Sequence, residues 1–290
     1  MKAVRFHSYG EPAVLIHEDV ERPVAGAGQV LIRVAGTSFN GVDGNIRAGF
    51  MQGPIPVTLP HTPGIDVSGT VAEVGAGVTG IAAGDRVIGF LPMTGDGASA
   101  EYVVAPAEIL APAPTTVPLA DAAALPAVGL TAWQALFEHA KLTAGQRVLI
   151  NGAAGAVGGY AVQLAGSAGA HVIAKTGPGS IELTEKVDVV LNLAPIEPAE
   201  LAGLLDLIGD GGVLVNTTVW MPAPSDEQRG VRGIDLYVRS DAAQLGHLAE
   251  LVDAGDLRID VAQRFPLAEL PTVHAQAAAG HLHGKTVITI

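Results

Sequence analysis

Residues 149–159 read LINGAAGAVGG, the end of an apolar strand running into a loop of glycine and alanine. Residues 160–169, YAVQLAGSAG, then carry apolar side chains at helical spacing. Gly152, Gly155 and Gly158 recur every three positions, with Ala153, Ala154, Ala156 and Val157 between and beside them. Small residues let a backbone turn tightly and come within hydrogen-bonding distance of an anion, and they let the helix lie close on the strand. The helix N-terminus then offers free N–H groups and the positive end of its dipole to a pyrophosphate. A glycine–alanine corner also arises where a helix merely packs tightly on a sheet. The strand before the loop and the helix after it favour the phosphate reading.

Outward from this corner, apolar strands alternate with helices. RVLIN is followed by the glycine loop and its helix, then by HVIAKT, VDVVLNL, the helical AELAGLLDLI, and GGVLVNTT. That order predicts a parallel sheet covered on both faces. Before about residue 115 the texture differs: QVLIRVAGTSF, VSGTVAEVG, DRVIGFL and AEYVVAP are short strand-like runs punctuated by turn signals, which predict a compact β barrel or sandwich. Between the two, LADAAALPAVGLTAWQALFEHAKL has helix formers broken at Pro126, consistent with two helices meeting at a turn. After the helical AAQLGHLAELVDAGDL, a mixed tail ends in the strand GKTVITI, so the tail can return to complete the first domain.

The dinucleotide is read from the end of the second strand. An NAD site usually carries an Asp or Glu about 20 residues after the glycines, on the ribose hydroxyls. Here HVIAKTGPG ends in Lys175, Thr176 and Gly177, with no carboxylate before Glu182. A cation beside a hydroxyl suits a 2′-phosphate, with Ser180 as a further candidate contact, and points to NADPH. The competing reading of Lys175 is a solvated lysine at a strand end.

Composition narrows the class. The chain has 290 residues, 49% of them apolar and 16% charged, enough for two domains with sizeable cores. A net charge of −13 repels phosphodiester backbones and anionic membrane surfaces, so neither a nucleic acid nor a membrane is expected as partner. There is no cysteine, which excludes disulfides, thiol nucleophiles and Cys-ligated zinc. The first residues, MKAVRFHSYG, contain no signal-like apolar run, and a soluble, cytoplasmic protein is expected.

Landmarks along nearly the whole chain resemble the zinc-free branch of the medium-chain dehydrogenase/reductase superfamily, the quinone oxidoreductase-like enzymes. They include YGEPAVL, FNGVDGNIRAG, PGIDVSGTVAEVGAGV, GASAEYVVAP, AALPAVGLTAWQAL, VLINGAAGAVGGYAVQLA and GHLHGKTVIT. The resemblance implies a GroES-like β domain built from residues 1–118 and 260–290 and a Rossmann NADP-binding domain of residues 119–259. It implies hydride transfer from NADPH to a quinone or an α,β-unsaturated carbonyl, a small-molecule acceptor, and a homodimer. Where zinc relatives carry a catalytic Cys this chain has the segment around Asn40, and their Gly-His-Glu becomes Gly64, Ile65 and Asp66, so no metal is expected. By the same likeness Asn40 and Asp43 lie near the nicotinamide, Thr131 approaches its carboxamide, and Lys285 lies near the cofactor phosphate. Asn40 then reads either as a donor to the acceptor carbonyl or as a turn residue fixing a strand end, and Asp43 as a structural residue paired with Arg47.

One departure stands out. A βαβ unit takes roughly 30 residues. Only ten, GPGSIELTEK, separate Thr176 from the strand beginning at Val187. The Rossmann domain therefore lacks one helix–strand unit on its adenosine side. Either the pocket is simplified and working, or its adenosine half is degraded and the cleft serves a cyclase, an isomerase or a binding module.

Overall fold

The computed structural model spans residues 1–290 and describes all of them except Pro178, Ser180, Ile181, Glu182 and Val219. The chain forms two compact units, Met1–Ala127 with Ser240–Ile290, and Val128–Arg239.

The first unit opens with β1 (Lys2–Phe6), β2 (Leu15–Asp19), β3 (Gln29–Ser38), α1 (Gly41–Ala48), β4 (Asp66–Val74), β5 (Arg86–Phe90), β6 (Tyr102–Pro106) and β7 (Leu110–Pro112). A 3-10 turn over Asp121–Ala124 precedes α2 (Pro126–Trp133), so Pro126 begins a helix, where its missing N–H costs nothing.

The second unit holds β8 (Arg147–Asn151), α3 (Ala156–Ser167), β9 (His171–Lys175), β10 (Val187–Asn192), α4 (Pro198–Gly203), β11 (Ile208–Asn216) and β12 (Arg232–Asp235). Its five strands are all parallel, in the order β12-β11-β10-β8-β9. The core on this sheet is aliphatic: Leu149, Val190, Leu201, Ile208 and Leu214 pack together. The sheet is a doubly wound one with β9 at its edge. Among the described residues no strand pairs beyond it, as the ten-residue connection predicts.

The chain then returns to the first unit as α5 (Ala242–Ala254), β13 (Val261–Pro266), α6 (Leu270–Ala278) and β14 (Lys285–Thr289). A seven-stranded sheet runs β13-β14-β3-β4-β5-β7, with β6 on β3; β1 and β2 form a separate ribbon. This is the GroES-like β fold, closed by the tail. β14 lies antiparallel on β3 with Val287 opposite Ser38, and Arg264 of β13 grips Asp121 through two hydrogen bonds of 2.7 and 2.8 Å.

The division differs from the expected boundary at residue 259. α5 belongs with the β unit because it packs beside β7, where Asp253 accepts the backbone N–H groups of Thr115 and Thr116 at 2.7 and 2.9 Å. A helical period shows that a helix buries one face, and it does not say against which sheet.

Candidate functional site

In the second unit the glycine loop joins β8 to α3. Gly152 has φ of +93°, a left-handed conformation that favours glycine. The N–H groups of Gly152 and Ala153 both donate to the carbonyl of Lys175, at 3.1 and 3.0 Å, which ties the loop to the end of β9. Gly155 is the N-cap of α3 and brings no side chain to cap it. The first N–H groups of the helix, on Ala156, Val157 and Gly158, precede the bond from Gly159 N–H to Gly155 O at 3.0 Å. Ala154 and Gly155 are exposed and Gly158 is buried against the loop. A Cβ on Gly158 would stand 2.3 Å from the Gly152 carbonyl oxygen, so glycine is required for the helix to start this close. An anionic phosphate group fits a helix start that no side chain caps, beside the exposed Ala154 and Gly155.

Lys175 ends β9, half-buried, with its ammonium donating to Gly177 O at 2.6 Å; Thr176 beside it is exposed. Lys175 thus stands beside the glycine loop, whose Gly152 and Ala153 N–H groups bond its carbonyl, and Thr176 follows it. Ser180 lies outside the described residues. Thr131 sits in α2 with 9% of its surface exposed.

The sheet adds a feature outside the glycine motif. Asn151, Asn192 and Asn216 are the last residues of β8, β10 and β11, all buried, and their side chains form a ladder. Asn151 Nδ2 donates to Asn192 Oδ1 at 2.7 Å, and Asn192 Nδ2 to Asn216 Oδ1 at 2.9 Å. Asn216 Nδ2 continues to the carbonyl of Met221 at 2.8 Å. The ladder fixes the carboxyl ends of three adjacent strands, the edge at which open α/β sheets bind ligands. Its signal was present in the sequence: VLIN, VVLN and VLVN each close a strand on asparagine.

In the first unit, β14 on β3 brings Lys285 to Asn40. Lys285 is 3% exposed and Asp66 is fully buried. The Lys285 ammonium donates to Asn40 Oδ1 at 2.7 Å and to Asp66 Oδ2 at 3.2 Å. Asp66 Oδ2 also accepts from Ser38 Oγ and, at 2.9 Å, from Asn40 Nδ2, while its Oδ1 accepts the Ala127 N–H at 2.7 Å.

Two expectations change here, and Asn40 follows one of its two readings. It donates its amide protons to Asp66 and to Ser38 O, as a residue fixing the strand end does. Lys285 offers no charge to a phosphate, because the register of β14 has sunk it beside Asp66. Asp43 does not pair with Arg47: its two carboxylate oxygens accept the N–H groups of Asn40 and Gly64, both at 3.0 Å, and Arg47 donates to Gly10 O.

Burial pushes the Asp43 carboxyl up to about 6, reinforced by the Asp66 charge and opposed by its two backbone donors and Lys285. A cavity of about 10 Å³, room for one water, is lined by Asp43, His61, Thr62 and Gly64 among others. Burial lowers the His61 pKa, partly offset by Asp96. His274 of α6 is buried with no hydrogen-bond partner on either ring nitrogen, edge-on to Phe39. Burial, and then the Arg47 charge, lower its pKa to about 3.

Among the described residues no group of three or more His, Cys, Asp or Glu could hold a metal ion, and no helix is long and apolar enough to cross a membrane.

Comparison with known proteins agrees with this architecture. Residues 26–115 match the family model "Alcohol dehydrogenase GroES-like domain" and residues 168–288 the model "Zinc-binding dehydrogenase". The second description names zinc. Here, however, Asp66 is fully engaged by Lys285, Asn40, Ser38 and Ala127. The chain is 31% identical to the "Chloroplast envelope quinone oxidoreductase homolog" of Arabidopsis thaliana, over 99% of this chain and 98% of that protein. That alignment has 322 positions against a chain of 290 residues, so at least 32 of them face no residue here. Identity to human "NAD(P)H oxidoreductase RTN4IP1, mitochondrial" is 29%, over 90% of this chain and 82% of that one. The solved quinone oxidoreductase from Coxiella burnetii superposes with a TM-score of 0.90 at 30% identity, covering 100% of this chain and 99% of that one. With its GroES-like β unit, its parallel sheet opening on a bare glycine loop and a relative matched end to end, the chain belongs to the medium-chain dehydrogenase/reductase superfamily of oxidoreductases, in the quinone oxidoreductase-like branch.

Proposed function

We propose that the protein is an NADPH-dependent, zinc-independent reductase of quinones or α,β-unsaturated carbonyls. The observation that carries this reading is the glycine loop, whose Gly152, Gly155 and Gly158 leave the start of α3 without a capping side chain, beside the exposed Ala154 and Gly155. When bound, the nicotinamide supplies a hydride to an electron-poor carbon of the acceptor. The N–H groups at the start of α3 hold the phosphates, and the asparagine ladder keeps the neighbouring strand ends in place. Lys175 and Thr176 take the 2′-phosphate, for which Lys175 exchanges its bond to Gly177 O. Thr131 orients the carboxamide. The network of Asn40, Asp66 and Lys285 positions the turn into α1 and the start of β4.

The proposal includes a small-molecule acceptor, a homodimer and a cytoplasmic location. The last rests on the cysteine-free, acidic composition; cell fractionation tests it.

The test is titration of the purified protein with NADPH, followed by nucleotide fluorescence, then oxidation of the bound nucleotide by a quinone or enone series. Saturable binding and acceptor-dependent oxidation are expected. The short connection after β9 favours a second reading, a fold that has lost its dinucleotide and performs a reaction moving no hydride. Absence of any shift in the thermal midpoint with millimolar NADPH or NADH selects that reading, since a ligand at 100 times its Kd adds about 2.7 kcal/mol.

A further inference from the structure

A dinucleotide-binding sheet is two mononucleotide-binding halves side by side, with the pyrophosphate at the first βα turn between them. The two halves of this sheet are unequal. One keeps three strands, β10, β11 and β12; the other keeps two, β8 and β9. Only the eleven residues 176–186 separate β9 from β10 in the sequence, and among the described residues no strand lies beyond β9 to wall a purine.

The polar fittings are unequal in the same sense. Asn151, Asn192 and Asn216 brace the strand ends from β8 through β11. At the end of β9, Lys175 turns its ammonium onto Gly177 O of its own chain. A half-buried lysine whose ammonium reaches solvent contributes about fivefold or less in affinity to a phosphate.

We infer that this chain holds its cofactor by the nicotinamide ribose and its phosphate, with the adenosine contributing little, and so takes reduced nicotinamide mononucleotide nearly as well as the dinucleotide. The inference rests on the reading of the glycine loop as a nicotinamide nucleotide site. The phosphate of the mononucleotide has its seat at the start of α3, which the shortening leaves intact. The redox step is unchanged. The dihydronicotinamide gives up a hydride and becomes the pyridinium form, while a quinone takes that hydride and one solvent proton to become the hydroquinone.

The test is a binding titration of the full chain with NADPH, NADH and reduced nicotinamide mononucleotide, read by dihydronicotinamide fluorescence. The mononucleotide Kd is expected within about tenfold of the NADPH value. Lys175→Ala should leave the mononucleotide Kd unchanged, whereas Gly158→Ala should weaken all three ligands together. NADPH binding more than about tenfold tighter than the mononucleotide overturns the inference and leaves the nucleotide site standing. Failure of all three to bind removes the site itself, and the inference with it.

Discussion

Gly158→Ala tests the glycine loop with a single methyl group. The added Cβ would lie 2.3 Å from Gly152 O, 2.6 Å from Ala153 Cα and 2.7 Å from Ala153 C, all of them backbone atoms. Relief requires the loop to retreat by about 1 Å to reach ordinary van der Waals separation. The loop is held against that retreat, because Gly152 and Ala153 donate to Lys175 O and Gly155 donates back to Gly152 O at 3.0 Å. Overpacking of this kind costs about 1–3 kcal/mol, and the better helix propensity of alanine returns at most ~1 kcal/mol of it. A net loss of about 1–2 kcal/mol is therefore expected. Gly159→Ala is the internal control. It lies one residue further along α3, where a Cβ meets nothing within 4 Å, so it should raise stability by up to ~1 kcal/mol. Urea denaturation gives both values, and an NADPH titration of the same samples should show a Kd raised about tenfold or more for Gly158→Ala alone. If the two variants match in stability and in Kd, the close approach of loop and helix is not what the site depends on, and the reasoning fails.

Three further outcomes are expected. Lys285→Met leaves Asp66 buried without its cation and should cost about 3–5 kcal/mol, with Asp66→Asn in the same chain recovering part of it; a loss below about 1 kcal/mol would mean the pair is not a buried ion pair in solution. Because the folded His274 pKa lies below that of the unfolded chain, its neutral ring supports the fold above about pH 6.5 and that support is lost as pH falls toward about 3. His274→Leu should thus gain on the wild type by about 2 kcal/mol between pH 7.5 and 5, measured by urea midpoints at both; a constant difference would refute this. Lys175→Ala should weaken NADPH up to about fivefold and leave NADH unchanged, and equal losses in parallel titrations would remove the phosphate contact.

Much of the nucleotide unit is legible in the sequence because its determinants are local. The glycines at 152, 155 and 158 announce a bare corner, the flanking runs have strand and helix periods, and the asparagines that close VLIN, VVLN and VLVN stand at strand ends. The site in the β unit is not legible in this way. Asn40 reads equally as a donor to a substrate carbonyl or a turn residue, and Lys285 as a surface or phosphate-facing lysine, until β14 is seen lying on β3. Asp43 has Arg47 in helical reach, yet it is turned to the Gly64 N–H.

The sequence alone determined the alternation of strands and helices, the phosphate-sized loop and the loss of a helix–strand unit, because hydrophobic period, glycine content and connection length are properties of short stretches. Only the tertiary structure decided that Lys285 meets Asp66 and Asn40 across 219 and 245 positions of chain. Likewise, only the fold set α5 beside β7. Such pairings follow from strand register and from which apolar faces cover one another, and neither leaves a mark in the neighbouring residues.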